Sequence, residues 1–249
     1  VEGNNSLIVD GAVEIGNELV LNGIATDTTT GSVTFDGALL SGSGTYRVDA
    51  GFCSLRGTNT LRATLHNLTA EDQFSTASSS LLIIDGGTLF NDGKFRVRTG
   101  TLIETINSGQ FVNSGQLTGD SPGGGGATIS GPFDNTGVVE PYAGFTLTFT
   151  GPVEQVQGGE LTGGQWLPGP GAKIYLPEDI LVTWEGVSVN VSDDALPNFE
   201  LRTNDGDLNT IGPFSTPGDF TNNGSFTAGE GGDTQFNGEL RNVGSEQDP

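Results

Sequence analysis

Methionine is absent from this 249-residue chain, cysteine and histidine occur once each, and lysine and arginine together number only 9. The single thiol, Cys53, excludes an internal disulfide, and the single imidazole, His66, excludes a histidine-based zinc centre. Against those 9 cations stand 31 acidic residues, giving a formal charge of −22 and a pI near 4.1. Neither the phosphates of nucleic acid nor an anionic membrane surface is a favoured partner for such a chain, because long-range repulsion opposes each encounter. No run reaches the roughly 18 apolar residues that a membrane span needs. Apolar residues are scarce too, at 33%, yet 14 Phe are too many for a disordered tail. The first residues, Val1, Glu2, Gly3, Asn4 and Asn5, lack a basic region followed by an apolar one. The chain therefore reads as a mature or excised piece of a longer exported precursor.

What is abundant is chain-turning residues: 41 Gly and 11 Pro, about one residue in five, which leave little room for long helices. They are not scattered. A nine-residue phrase, Gly-x-(Phe or Leu)-x-Asn-x-Gly-x-(Phe, Leu or Val), recurs along the chain. It reads Gly87, Leu89, Asn91, Gly93, Phe95, then Gly109, Phe111, Asn113, Gly115, Leu117, then Gly131, Phe133, Asn135, Gly137, Val139. It returns as Gly218, Phe220, Asn222, Gly224, Phe226 and as Gly238, Leu240, Asn242, Gly244. Successive starts lie 22, 22, 87 and 20 residues apart, multiples of one period near 22. Looser copies stand at Gly31, Val33, Phe35, Gly37, Leu39 and at Gly151 to Leu161.

Within each phrase the apolar residues sit two apart, on either side of an Asn and a Gly, which is the pattern of strand, tight turn and strand. A unit of about 20 to 22 residues built this way matches one coil of a parallel β-helix, whose coils bury their apolar edges only by stacking. The expectation is one all-β solenoid over residues 1–249, of roughly 12 coils and on the order of 55 Å long at ~4.8 Å per layer. A β-sandwich is the alternative, but it gives no reason for the period. Phe95, Phe111, Phe133, Phe220 and Phe226 are expected in an inner ladder. Asn91, Asn113, Asn135, Asn222 and Asn242 are expected to stack at one corner and exchange amide hydrogen bonds. Glycine at that corner would supply left-handed φ, which Asn also tolerates. A Gly-rich loop is expected at 120–127, and an irregular, strand-rich stretch with longer turns at 164–198, where Ile180, Val182 and Trp184 alternate with Leu181, Thr183 and Glu185.

The phrase resembles the repeats of right-handed parallel β-helix proteins of bacterial surfaces, such as autotransporter passengers and filamentous adhesins, over most of residues 31–244. That resemblance implies an exported extracellular or cell-surface rod used for adhesion, coating or matrix. It supplies no catalytic motif. The leading expectation is a structural or adhesive rod or stalk, not an enzyme and without a cofactor, whose uncapped ends would associate end to end into a filament. The alternative is a carbohydrate-active β-helix enzyme, a lyase or glycoside hydrolase, or a glycan-binding module, which would need convergent carboxylates.

Several clusters carry candidate chemistry. Lys94, Arg96 and Arg98 lie two apart, on one face of one strand, and hold 3 of the 9 basic residues. They suit an anionic surface glycan, a host surface or an acidic neighbouring subunit, unless acids such as Asp85 or Glu104 on adjacent coils balance them. Asp205, Asp207 and Asn209 have the first three oxygen ligands of a calcium loop, but Thr210 and Thr216 stand where its glycine and closing glutamate belong. Adjacent acids, Glu71 with Asp72, Glu178 with Asp179 and Asp193 with Asp194, point to opposite sides of a strand. Thr146, Thr148 and Thr150 make one Thr triplet of the kind ice-binding solenoids repeat. Asn4, Asn67, Asn190 and Asn223 begin Asn-x-Ser/Thr sequons.

Overall fold

The computed structural model of the chain describes residues 7–9, 11–27, 31–49, 51–71, 73–120, 123–192, 195–229 and 233–243. These residues form an all-β solenoid of about 10 turns of roughly 21 residues. The turns are fewer than the period alone suggests because some coils widen. Tyr46 and Leu65 are stacked partners 19 residues apart, whereas Val139 and Trp166 are 27 apart. No helix of the described residues is long and apolar enough to cross a membrane.

Each regular coil has three strands and contributes one to each face. The first face begins as seven strands, Leu7–Val9 through Phe133–Asn135; six more, Val156–Gln157 through Leu240–Asn242, form a following sheet. The second face is continuous over eleven strands, Ala12–Ile15 through Ser225–Ala228. The third has eight, Glu18–Val20 through Lys173–Tyr175. Among the described residues pairing is parallel everywhere except in the short hairpin of Val156–Gln157 with Glu160–Leu161. A sandwich of antiparallel hairpins is thereby replaced by stacked coils.

Alternation along each strand sends every second side chain inward, so the core is a set of columns rather than one cluster. One column of the second face runs Val33, Cys53, Phe74, Phe95, Leu117, Val139, Trp166, Val189, Leu208 in direct register. On the first face Tyr46, Leu65, Leu89, Phe111 and Phe133 are stacked in the same way. The aromatic rings cross between columns. Phe74, Phe95, Phe111, Phe133, Phe149 and Trp166 form an unbroken series with centroid separations of 4.5, 6.1, 4.9, 4.9 and 5.7 Å. Phe95, Phe111, Phe133 and Phe220 are buried, while Phe226 is partly buried and packs on Phe220 and Phe236.

The corners separate two uses of glycine. Between the second and third faces, Gly37, Gly57, Gly100, Gly124, Gly144 and Gly171 have φ between +60° and +86°, and Ser79 takes the same conformation at 59°. Those positions need the left-handed region. At the Asn corner the reason differs: Gly93, Gly115, Gly137 and Gly224 do not have positive φ. A Cβ at Gly115 would lie 2.1 Å from the carbonyl oxygen of Gly93, and one at Gly137 would lie 2.2 Å from that of Gly115. Stacked backbones approach so closely here that no side chain fits, and the Asn residues beside them lie in ordinary strand conformation. The looser copy at Gly31 to Leu39 belongs to a different corner, since Val33 and Phe35 lie on the second face and Leu39 on the third.

Candidate functional site

The Asn corner is the most ordered polar feature. Asn67 Nδ2 donates to Asn91 Oδ1 at 2.6 Å, Asn91 to Asn113 at 2.6 Å, and Asn113 to Asn135 at 2.7 Å. Each donor also reaches a backbone carbonyl of the next coil, Lys94, Gln116 and Val138 in turn. The ladder stops at Asn135, because the widened coil puts Gln155 there; its Oε1 accepts from the Asn135 N–H at 2.7 Å. It resumes with Thr183 Oγ1 donating to Asn204, Asn204 to Asn222 and Asn222 to the exposed Asn242. Asn67 and Asn204 were not expected in it. Asn204 is signalled by Asn204-x-Gly206-x-Leu208, the second half of the phrase; Asn67 has Thr69 in place of the glycine and gives no such signal.

The residue after each ladder position stands on the outer ridge of the corner. Asp92 there accepts from Ser114 Oγ on the next coil and lies 2.7 Å from His66 Nε2. The Ser114 bond holds the Asp92 carboxyl below the usual carboxylate range; partial burial opposes this and the His66 contact assists it. Asp85, on the third face, is lowered similarly by the Asn107 amide and by Arg62, whose Nε is 2.7 Å away.

Lys94 and Arg96 point outward on the strand Lys94–Val97 of the second face, while Arg98, expected on the same strand, lies one residue beyond its end. Asp120 pairs with the two arginines, its Oδ2 lying 3.9 Å from Arg96 Nη1 and 3.7 Å from Arg98 Nη1; Asp85 and Glu104 take no part in these pairs. Lys94 Nζ sits 5.6 Å from the centre of the Tyr142 ring. Thus two guanidinium groups and one carboxylate form a compact charged group beside the expected loop at 120–127. Within that loop Ser121 and Pro122 lie outside the described residues, and Gly125–Ser130 is a strand of the third face.

Asp205, Asp207 and Asn209 do not wrap around a point. Asp207–Thr210 is an extended strand with Leu208 inward, so Asp207 and Asn209 point outward along it. Asn209 Nδ2 donates to Asn190 Oδ1 at 3.0 Å, while Asp205 Oδ1 accepts from Asn223 Nδ2 at 2.7 Å. Among the described residues no group of three or more His, Cys, Asp or Glu is placed to hold a metal. Of the acidic pairs, Glu178 accepts from the Gly159 N–H and Asp179 from Asn198, both at exposed turns. Asp72, Asp193 and Asp194 lie outside the described residues. Thr146 and Thr148 face outward on Phe145–Phe149, where Thr148 is stacked between Thr128 and Tyr175. Of the sequons, Asn67 is fully buried in the ladder, Asn190 is half-buried and Asn223 is exposed; Asn4 lies outside the described residues.

One recess combines an aromatic ring with polar groups. Trp184, Glu185, Asp205, Asn223 and Gly224 line an open pocket of about 530 Å³. Trp184, Asp205 and Asn223 occupy the same ridge position on three successive coils, after the stacked residues Thr183, Asn204 and Asn222. The uniform alternation expected across Ile180–Glu185 fails at a register shift between Ile180 and Val182, so Thr183 turns inward and Trp184 outward. The corner is also longer: Ser188 and Asp207 are partners, yet Ser188 lies five residues beyond Thr183 whereas Asp207 lies three beyond Asn204. Its ridge position leaves the Trp184 indole 49% exposed, whereas Trp166 is 0% exposed.

Comparison with protein-family models, with characterised proteins and with solved structures returns no match for this chain.

Proposed function

We propose that this chain is an extracellular structural or adhesive rod, a stalk or filament segment of the kind found on bacterial surfaces, whose work is done by length and repeated surface. The observation that supports it is the continuous parallel register of the second face through eleven strands, braced by the Asn ladder. Such a body holds its side chains at fixed intervals along an axis, with about 10 turns giving roughly 50 Å at ~4.8 Å per rung. End-to-end association belongs to this reading. Among the described residues the strand Ala12–Ile15 is paired on one side only, and Val13, which continues the inner column of Val33, is 40% exposed. A second copy stacked on this edge would bury it and complete its pairing. Electron microscopy of the purified chain tests this: filaments one rod wide are expected, shortened by Val13→Lys. A monodisperse single-copy species at high concentration removes the filament and leaves the stalk.

A glycan-binding role is the second reading, and the Trp184 recess is what favours it over further structural uses of the same surface.

A further inference from the structure

We infer that the recess at Trp184 binds an amino sugar, as one unit of a cationic glycan, with the indole as platform and Glu185 and Asp205 as partners of the ammonium group. The inference rests on the adhesive part of the proposed function and names its ligand. Exposing about half of an indole is costly for a residue that elsewhere in this chain, at Trp166, is wholly interior. The corner, two residues longer here than on the next coil, also has Glu185 exposed directly after Trp184. Asp205 is half-buried and fixed through Oδ1 by the Asn223 amide at 2.7 Å. Gly224 forms the adjoining floor, where a Cβ would meet the Gly206 carbonyl oxygen at 2.2 Å, so the backbone stacking keeps this part of the recess free of side chains.

The chemistry of the ligand follows from those groups. A flat indole face accepts the C–H face of a pyranose, and its negative quadrupole attracts a cation. Two carboxylates in a chain of net charge −22 favour an ammonium and disfavour a uronic acid or phosphate. Trp184, Asp205 and Asn223 are placed one rung apart along the rod axis, about the advance of one hexose in an extended chain, so successive units meet successive rungs. The Asn223 amide and the ridge carbonyls offer hydrogen bonds to hydroxyl groups.

Trp166 is fully buried, so quenching of indole fluorescence on titration reports Trp184. The full-length chain is titrated with the glucosamine trimer and, separately, with the N-acetylglucosamine trimer. Saturable quenching by the free amine is expected, with binding of the acetylated trimer weaker by about tenfold. Calorimetry with Trp184→Ala, which leaves the net charge unchanged, should show a loss of about tenfold or more, with Trp184→Phe intermediate. Glu185→Gln and Asp205→Asn should each weaken binding and flatten its dependence on salt. Equal affinity of wild type and Trp184→Ala would mean general attraction of a polycation to an acidic rod and overturns the site. Equal or tighter binding of the acetylated trimer overturns the role of the carboxylates, and no binding of either trimer overturns the whole inference. Microscopy of the same samples keeps the rod reading separate: rods without sugar binding refute this inference alone, and specific binding by a non-assembling monomer refutes only self-association.

Discussion

Asn91 and Asn113, one coil apart, are joined by a buried hydrogen bond of 2.6 Å from Asn91 Nδ2 to Asn113 Oδ1, and Asn91 spends its other donor on the Gln116 carbonyl. Each rung therefore satisfies its neighbour as well as itself. Replacing Asn113 by Ala strands the donor of Asn91, the Oδ1 of Asn135 and one bond to the Val138 carbonyl. The expected loss in denaturant unfolding is about 2–4 kcal/mol, since each buried unpaired group costs about 1–3 kcal/mol. Asn242→Ala, at the exposed end of the ladder, should cost less than about 1 kcal/mol. Equal losses at the two positions would refute a cooperative ladder.

The two kinds of glycine should respond differently to alanine. At Gly37 the φ is +69° but the nearest atom to a new Cβ is 4.0 Å away, so the penalty is backbone strain of about 1–2 kcal/mol. At Gly115 a Cβ would sit 2.1 Å from a backbone oxygen that cannot move without opening the stack. Gly115→Ala should cost more than about 3 kcal/mol or prevent folding, by the overpacking mechanism. Melting both variants beside wild type checks the order.

The contrast shows what the sequence makes legible. Strand and corner are written in local residue types and the period in the spacing of the copies, so the solenoid and its inner Phe and Asn positions are readable from the recurring phrase. The reason for Gly115 is not, because the atom that forbids a side chain belongs to Gly93, 22 residues away. The Trp184 recess is hidden for a related cause. A register shift between Ile180 and Val182 inverts the alternation that a strand reading of Ile180–Glu185 assumes. Asn204 is readable from Asn204-x-Gly206-x-Leu208, although the overlapping Asp205, Asp207 and Asn209 also match the first positions of a calcium loop.

Truncating the aromatic series tests the core. Phe111 and Phe133 are each 1% exposed with ring centroids 4.9 Å apart. Either Phe→Ala change opens a cavity between coils that cannot collapse independently, and should cost about 3–5 kcal/mol. Phe52→Ala, at a side chain 60% exposed, should stay within about 0.5 kcal/mol of wild type. Comparable losses at Phe52 and Phe111 would contradict the assigned inner register.

Acid should weaken the ridge through Asp92. Its carboxyl titrates below the ordinary value of 3.8, chiefly because the Ser114 hydroxyl donates to the ionised form. A folded-state pKa lower than the unfolded one means that the unfolded chain binds more protons as pH falls. The stabilisation is therefore fully present above the unfolded value and is lost as pH drops through the folded one. Asp92→Asn keeps an acceptor for Ser114 but cannot carry the charge, so it should be less stable than wild type near neutral pH. The gap should begin to narrow below about pH 4, where the unfolded carboxyl protonates, and close as pH passes below the folded value. Acid also neutralises the other acidic residues of this −22 chain and relieves their repulsion, but that change is common to both proteins and cancels in the difference. Urea midpoints of the pair, measured from pH 7 down to pH 3, should thus converge; midpoints that stay parallel over that range would show that Asp92 contributes packing and no charge-dependent bond.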